Sequence, residues 1–159
     1  MDDMYKYLYI TASGGPWTKA QEEVKLEVRN IDVSNMTEYD LLGNYDVEQL
    51  RLILERSSNI KFRTMAITNL GKAGGKSQSV SITQAAIEIL EKTKNDPSYE
   101  VRAYTCAALC ECVIWSSMFG VEGQVLRTNV KRSLAEMMED PHPFVREQAE
   151  AEYRILNSG

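Results

Sequence analysis

Three cysteines are the residues with the clearest potential for metal or redox chemistry in this chain. Cys106, Cys110 and Cys112 lie close together in sequence, whereas the single histidine, His142, lies far from them. A structural zinc site needs four Cys or His ligands, and on one helix only Cys106 and Cys110 share a face. Since a free thiol packs as a small apolar side chain, we expect a core role for all three and predict no metal or cofactor.

A glycine-rich segment, GKAGGKSQS at 71–79, contains the Gly-Lys-Ser that ends a phosphate-binding loop. That motif needs another glycine five residues before Gly75, where the chain has Leu70, and it needs a strand before it. A helix is predicted there instead. The sequence therefore predicts a flexible loop between helices and no phosphate site.

Groups for acid–base or nucleophilic catalysis are sparse. His142 stands between two prolines and is predicted to be an exposed turn residue, and no G-x-S-x-G occurs. Glu136, Glu139 and Asp140 fit the solvated end of a helix better than a pair of carboxyls across a cleft. We predict that the protein is not an enzyme.

The overall composition is that of a globular protein with an acidic surface. The 159 residues are 43% apolar and 26% charged, with a net charge of −5. An acidic balance disfavours nucleic acid as the partner and favours a basic protein. The segment MDDMYKYLYI has acids where a signal peptide has lysines, and no apolar run reaches the length of a membrane span. We therefore expect a cytoplasmic protein that does not enter a membrane.

The elements that must position these residues repeat along the chain. Asp96-Pro97 is followed by Val101-Arg102, and Asp140-Pro141 is followed by Val145-Arg146 at the same spacing. A weaker copy has Ser57 in place of Asp and Phe62-Arg63 in place of Val-Arg. The arginines are separated by 39 residues (102 − 63) and 44 residues (146 − 102). Periods near 40 residues indicate stacked helical hairpins.

This pattern resembles the HEAT repeat in its short bacterial form, over about residues 46–156. The resemblance implies an all-α fold with about three HEAT-like hairpins, at about 46–75, 82–113 and 125–156, in a short right-handed α-solenoid. It also implies a repeat region over 46–159 and a ladder of charged contacts between neighbouring hairpins. The length of the chain suits one structural domain overall, made of the segment 1–45 and this repeat region. The ladder residues would be Asp96, Arg102, Asp140 and Arg146, with Arg63 lacking its Asp because Ser57 replaces it. HEAT-like proteins include adaptors, toxin-neutralising proteins, bilin lyases and DNA glycosylases, so the resemblance does not define the function.

Residues 1–45 are predicted to form a cap on the first hairpin, whose outer apolar face has no further neighbour. Two local structures fit this segment. Alternation at Tyr5, Tyr7 and Tyr9, and again at 24–28, predicts a β-hairpin across Ser13-Gly14-Gly15-Pro16. Helical spacing of Trp17, Ala20, Val24 and Val28 fits a helix equally well.

Apolar stripes place the helices of the hairpin region. Asp46 is predicted to be the N-cap of the first helix, and a second helix should cover about 60–71. In the next hairpin the first helix should bury Ile82, Ala85, Ala86, Ile89 and Leu90.

The connection between the second and third hairpins is longer and more apolar than a loop requires. Trp115, Met118 and Phe119 lie in it, beside Gly120 and Gly123. Exposed, these side chains would anchor a protein partner; buried, they would pack beneath the third hairpin. Glu147 and Glu150 in the last helix fit either a solubilising cap or an acidic binding face.

These observations favour a non-enzymatic protein-binding domain, in particular an immunity protein that neutralises a basic toxin. The alternatives are an adaptor or assembly scaffold and, from the HEAT resemblance, a bilin lyase subunit or a DNA glycosylase. A glycosylase requires its cations on one face. The candidate cations are Arg63, Arg127, Lys131, Arg132 and Arg154.

Overall fold

The computed structural model describes residues 46–158, and this part of the chain is all-α with no strand. The predicted all-α fold is therefore confirmed over this range, whereas the predicted N-terminal cap lies outside the described residues. The solenoid arrangement stays a prediction. The helices are α1 (Val47–Arg56), α2 (Ile60–Lys76), α3 (Val80–Thr93), α4 (Tyr99–Val113), a 3-10 helix (Ser116–Phe119), α5 (Val121–Met137) and α6 (Pro143–Asn157).

The chain divides into two compact units, Met1–Asn69 and Leu70–Gly159. In the first unit, α1 begins with the predicted cap. The Asp46 carboxylate accepts the Gln49 amide hydrogen at 2.8 Å, and the Gln49 side chain accepts that of Asp46 at 2.9 Å. This reciprocal capping box satisfies two amides that the first turn leaves without helical partners. Leu50, Ile53 and Leu54 then form the buried face of the helix.

The glycine-rich segment is helical, so the prediction of a flexible loop is wrong for residues 71–76. In the second unit, residues 70–76 of α2 pack directly against α4. A Cβ on Gly75 would lie 2.5 Å from the Glu111 carbonyl oxygen, and one on Gly71 would lie 2.9 Å from the Ala108 Cα. The glycines therefore allow two helix backbones to touch, and this contact overrides the low helix propensity of glycine.

The buried face of helix α3 overlaps the predicted one in part, since Ala86 and Leu90 are buried as predicted, but it is rotated toward two threonines. Thr83, Ala86, Ile87, Leu90 and Thr93 are buried, while Ile82 is 45% exposed. The two threonines can be buried because their hydroxyls are paired. The Thr83 hydroxyl donates to the Gly74 carbonyl at 2.8 Å, and the hydroxyls of Thr93 and Thr105 are 2.7 Å apart. A prediction based on apolar residues alone misses such satisfied polar positions.

Helix α4 is the centre of the second unit and is buried on most of its surface. It packs against α3, α5, α6 and residues 70–76 of α2. Its buried side chains include many small ones: Ala103, Cys106, Ala108, Cys110 and Cys112. Small side chains allow helices to approach on several sides at once. Among the described helices, none is both long enough and apolar enough to cross a membrane.

Substitution of Gly75 by alanine tests the contact between α2 and α4. In an open helix this change stabilises by about 1 kcal/mol. Here the added Cβ meets the Glu111 carbonyl, so we expect destabilisation by about 1–3 kcal/mol. Urea unfolding of the Gly75→Ala variant measures the sign. A stabilised variant would show that these backbones are not in contact.

Candidate partner-binding surfaces

The two Asp-Pro turns have the same local structure, 44 residues apart. Each Asp carboxylate accepts the amide hydrogen of the residue two positions later: Asp96 from Ser98 and Asp140 from His142, both at 2.9 Å. Because these bonds hold the carboxylate against its own turn, they fix where the remaining lone pairs point. The turns thus present carboxylates in a defined direction.

Arg102 joins the two turns. Its Nη1 donates to the carbonyls of Asp96 at 2.8 Å and Pro97 at 3.3 Å, in its own turn. Its Nε and Nη2 donate to the two Asp140 carboxylate oxygens, at 2.8 and 3.1 Å. Little of either side chain is exposed, so this bidentate pair is shielded from water and orients the α3–α4 pair against the α5–α6 pair.

The electrostatics of Asp140 follow from this pair. Burial alone raises the pKa of the carboxyl, but the hydrogen bonds from Arg102 and the His142 amide outweigh it. The pKa of Asp140 therefore lies below its ordinary value. Arg146, the equivalent of Arg102, donates from Nη1 to the carbonyls of Asp140 at 2.7 Å and Pro141 at 3.0 Å. Arg63, the remaining ladder residue, lies half-buried on α2 in the first unit.

His142 is half-buried, so the prediction of an exposed turn residue is wrong. Its imidazole stacks on the Tyr99 ring, with centroids 3.8 Å apart and planes within 2°. Its Nδ1 accepts the Phe144 amide hydrogen at 3.1 Å and caps α6. The ring therefore has a structural role, since one face and one nitrogen are already occupied.

All three cysteines are buried in α4, which confirms the predicted core role. Burial raises the pKa of each thiol, to about 12 for Cys106, so the reactive thiolate is strongly disfavoured. The Cys106 Sγ lies 3.7 Å from the Met137 Sδ. Over residues 46–158, no three His, Cys, Asp or Glu side chains are grouped so that they could hold a metal ion.

The connection between α4 and α5 presents large apolar side chains to solvent. Trp115 is 66% exposed, Met118 57% and Val121 80%. Ile114 and Val125 are exposed as well, whereas Phe119 is half-buried. We call the five exposed residues Ile114, Trp115, Met118, Val121 and Val125 the apolar platform. Of the three residues predicted from the sequence, the structure places Trp115 and Met118 on the surface and Phe119 partly beneath it.

Two glycines fix the shape of this connection. Gly120 has φ +62°, a conformation that side-chain-bearing residues rarely adopt. A Cβ on Gly123 would lie only 1.8 Å from the Ser116 carbonyl oxygen, so the 3-10 helix packs directly on the first turn of α5. Trp115 and Met118 are therefore held on a compact, close-packed connection.

Arg127 holds the same end of the second unit together. Its Nη2 donates to the Leu156 carbonyl at 2.6 Å and its Nη1 to the Val113 carbonyl at 3.5 Å. A cation at the carboxyl ends of α4 and α6 is favourable for both helix dipoles. Arg132 instead lines a groove between α3 and α5. Of the cations that a glycosylase would need on one face, Arg127 therefore contacts the ends of α4 and α6, whereas Arg132 lies in the groove beside α3.

The groove between α3 and α5 has a volume of about 340 Å³ and was not predicted from the sequence. Its charged residues pair mainly with one another. The Lys94 ammonium lies 3.0 Å from Glu91 and 2.9 Å from Glu136, and the Ser133 hydroxyl donates to Glu91. These contacts tie α3 to α5 across the groove.

Glu111 on α4 and Glu152 on α6 are half-buried carboxylates that interact electrostatically, and the sequence did not predict that they would be close. Burial raises the pKa of Glu111 and of Glu152, and the charge of Glu152 raises that of Glu111 further. Lys72 and Lys76 oppose the shift at Glu111. The Gln148 amide donates to Glu152 at 2.9 Å. The repeat spacing could have revealed Glu152. It lies 44 residues after the buried Ala108, so α6 has a carboxylate at the position where α4 has a buried methyl group.

Glu147 and Glu150 are both exposed on α6. Glu150 pairs with Arg154 at 2.7 Å. Forty-four residues earlier, α4 has Ala103 and Cys106 at these positions, and both are buried. The charges on α6 thus occupy positions that α4 uses for packing.

Comparison with known proteins finds no matching family model, no matching curated protein and no matching solved structure. The HEAT-like interpretation therefore stays a prediction.

The Arg102–Asp140 pair has a matched control inside the protein. Arg102→Ala leaves a shielded Asp140 carboxylate without its cation, so we expect destabilisation by about 2–4 kcal/mol. Arg146→Ala removes only the contacts to its own turn and should cost about 1 kcal/mol or less. Chemical denaturation of both variants at pH 7 gives the comparison. Equal effects would mean that the bridge to Asp140 contributes nothing beyond the turn contacts.

The same pair predicts a pH dependence. Because the folded-state pKa of Asp140 is depressed, its contribution is complete above the unfolded-state value of about 3.9 and is lost as the pH falls through the folded-state value. The difference in unfolding free energy between wild type and Arg102→Ala should therefore shrink in acid. A difference that stays constant down to about pH 2 would contradict this assignment.

Glu152 should behave in the opposite way. Its folded-state pKa is raised, so ionisation costs stability as the pH rises above about 4.3, the unfolded-state value. We expect Glu152→Gln to stabilise the protein at pH 7 and to be neutral at pH 3.5 or below, where the carboxyl is protonated in both states. Thermal unfolding at the two pH values measures this. A variant less stable than wild type at pH 7 would overturn it.

Proposed function

We propose that this chain is a non-enzymatic protein-binding domain that holds its partner through the apolar platform. The observation that carries the proposal is the exposure of Trp115 and Met118 on a connection fixed by two glycines. Trp and Met are enriched in protein interfaces, where a few large apolar anchors supply most of the binding energy.

The fixed backbone makes these side chains suitable as anchors. Single exposed apolar residues are common on protein surfaces, but here five fall within residues 114–125. A loop that must be ordered on binding loses conformational entropy, whereas a close-packed connection loses little. Burial of the apolar platform against a partner can therefore add to the binding free energy at a small cost in conformational entropy.

The partner in this proposal is a basic protein, because the chain has a net charge of −5. Opposite net charges accelerate encounter, and salt weakens that effect. In its specific form, the proposal is that the chain is a cytoplasmic immunity protein built from HEAT-like hairpins that neutralises a basic toxin. The repeated Asp-Pro turns and the Arg102–Asp140 pair support the HEAT-like part.

Assembly through a second copy is the other function that exposed apolar residues favour. In that case the apolar platform would be covered in the free protein at high concentration. Sedimentation over a hundredfold range of concentration distinguishes the two functions. A monomer throughout supports a separate partner, and a dimer lost on Trp115→Ala supports self-assembly.

The partner-binding test uses a Trp115→Ala, Met118→Ala double variant. A partner captured with the wild type is identified, purified and titrated by calorimetry. Because both side chains are largely exposed, the variant should keep its melting temperature within about 2 °C. It should nevertheless bind at least about thirtyfold more weakly, as expected for loss of two anchor residues.

Ile82→Ala is the matched control, since Ile82 is also an exposed apolar side chain but lies on α3. It should bind as the wild type does. In addition, the association rate of the wild type should fall as salt rises from about 50 to 500 mM. Unchanged affinity in a folded double variant would rule out the apolar platform as the interface.

A further inference from the structure

The two arginines of the repeated turns differ in one respect that points to a second interaction surface, separate from the apolar platform. Arg102 and Arg146 each bind two carbonyls of their own Asp-Pro turn through Nη1. Arg102 uses its other edge, Nε and Nη2, to bind the Asp140 carboxylate. The same edge of Arg146 has no partner among residues 46–158, and Arg146 is exposed.

The Nη1 contacts orient the guanidinium before any ligand binds. Carbonyl oxygens at 2.7 and 3.0 Å restrict rotation of the Arg146 side chain, as the equivalent bonds do for Arg102. A carboxylate that meets the Nε–Nη2 edge can then make two parallel charge-assisted hydrogen bonds. Little side-chain entropy remains to be lost on binding. The occupied site at Arg102 shows the ligand chemistry that this arrangement accepts.

The residues beside Arg146 indicate what kind of segment could supply a carboxylate to its Nε–Nη2 edge. Beside Arg102, Ala103 and Cys106 are buried, and Cys106 touches Met137 of α5. At Arg146 the equivalent positions are Glu147 and Glu150. Another apolar hairpin would bury those two charges at a large cost. A basic side chain opposite Glu147 would instead be favoured.

A second copy of this chain fits poorly as the occupant. The corresponding turn of the first hairpin has Ser57 where the other two turns have Asp. The first hairpin therefore has no turn Asp that could meet Arg146 as Asp140 meets Arg102, and an apolar contact with a copy at this face would still bury Glu147 and Glu150.

We propose that the Nε–Nη2 edge of Arg146 is a carboxylate-binding site on the outer face of α6. Its occupant is a segment of a partner protein that presents an Asp or Glu to Arg146 and a Lys or Arg to Glu147. This surface recognises mixed charge, whereas the apolar platform recognises apolar groups.

The site is tested in the full chain by NMR of the arginine side-chain Nε–H groups. The probe is N-acetyl-Asp-Pro-amide, and the control probe is N-acetyl-Asn-Pro-amide, which has the same shape without the charge. We expect a saturable shift at Arg146 with an affinity at least about fivefold higher than at Arg132, an exposed arginine without turn contacts. Arg102 should not respond, because Asp140 already occupies its edge. The Asn probe should shift neither.

An Arg146→Lys variant separates geometry from charge. Lysine keeps the charge but cannot make two parallel bonds, so the Asp probe should shift the Glu147 amide at least about fivefold more weakly in this variant. Equal responses at Arg146 and Arg132, or unchanged binding to Arg146→Lys, would overturn the proposal. A shift of the Arg146 resonance that appears with protein concentration alone would assign the site to a second copy and would overturn the assignment to a partner protein. Neither result depends on whether the apolar platform binds anything.

Discussion

The second unit depends on one shielded contact, the bidentate pair between Arg102 and Asp140. The guanidinium binds the carbonyls of one Asp-Pro turn and the carboxylate of the next, so a single side chain sets the relation between two helix pairs. The first turn contributes its main-chain carbonyls, and the second contributes the Asp140 carboxylate, which the His142 amide orients. The stacked Tyr99 and His142 rings then pack between the same two turns.

Close approach around α4 is the second requirement. Glycines on α2 and small side chains on α4 let these helices touch without large residues between them. At the opposite end from the turns, Arg127 binds the carboxyl ends of α4 and α6. Polar contacts therefore fix both ends of a core whose middle is held by van der Waals packing. Polar contacts also join α3 to α5, because Lys94 pairs with Glu91 on α3 and with Glu136 on α5 across the groove.

Several parts of this structure could be predicted from the sequence because their cause is local. The Asp46 cap, the Asp-Pro turns and the helices after them depend on residues a few positions apart. The Arg102–Asp140 contact joins two residues that only the HEAT resemblance, and no local pattern, had placed in a ladder. The helical state of 71–76 could not be predicted, because it depends on a helix that lies far away in sequence and accepts glycine backbones. The burial of Thr83 and Thr93 on α3 was missed for a related reason: their hydrogen-bond partners lie on other helices. For Trp115 and Phe119 the sequence left both exposure and burial open, and in the structure Trp115 is exposed and Phe119 is half-buried.

The packing of Gly123 against Ser116 means that different residues determine the backbone shape of the connection and the chemistry of its surface. The backbone at 116–123 depends on two glycines and on contacts beneath the surface, while the Trp115 and Met118 side chains remain largely in solvent. Side chains at these two positions can therefore be exchanged with little effect on the fold. The surface chemistry of this connection can therefore change at two positions while the backbone beneath it stays the same.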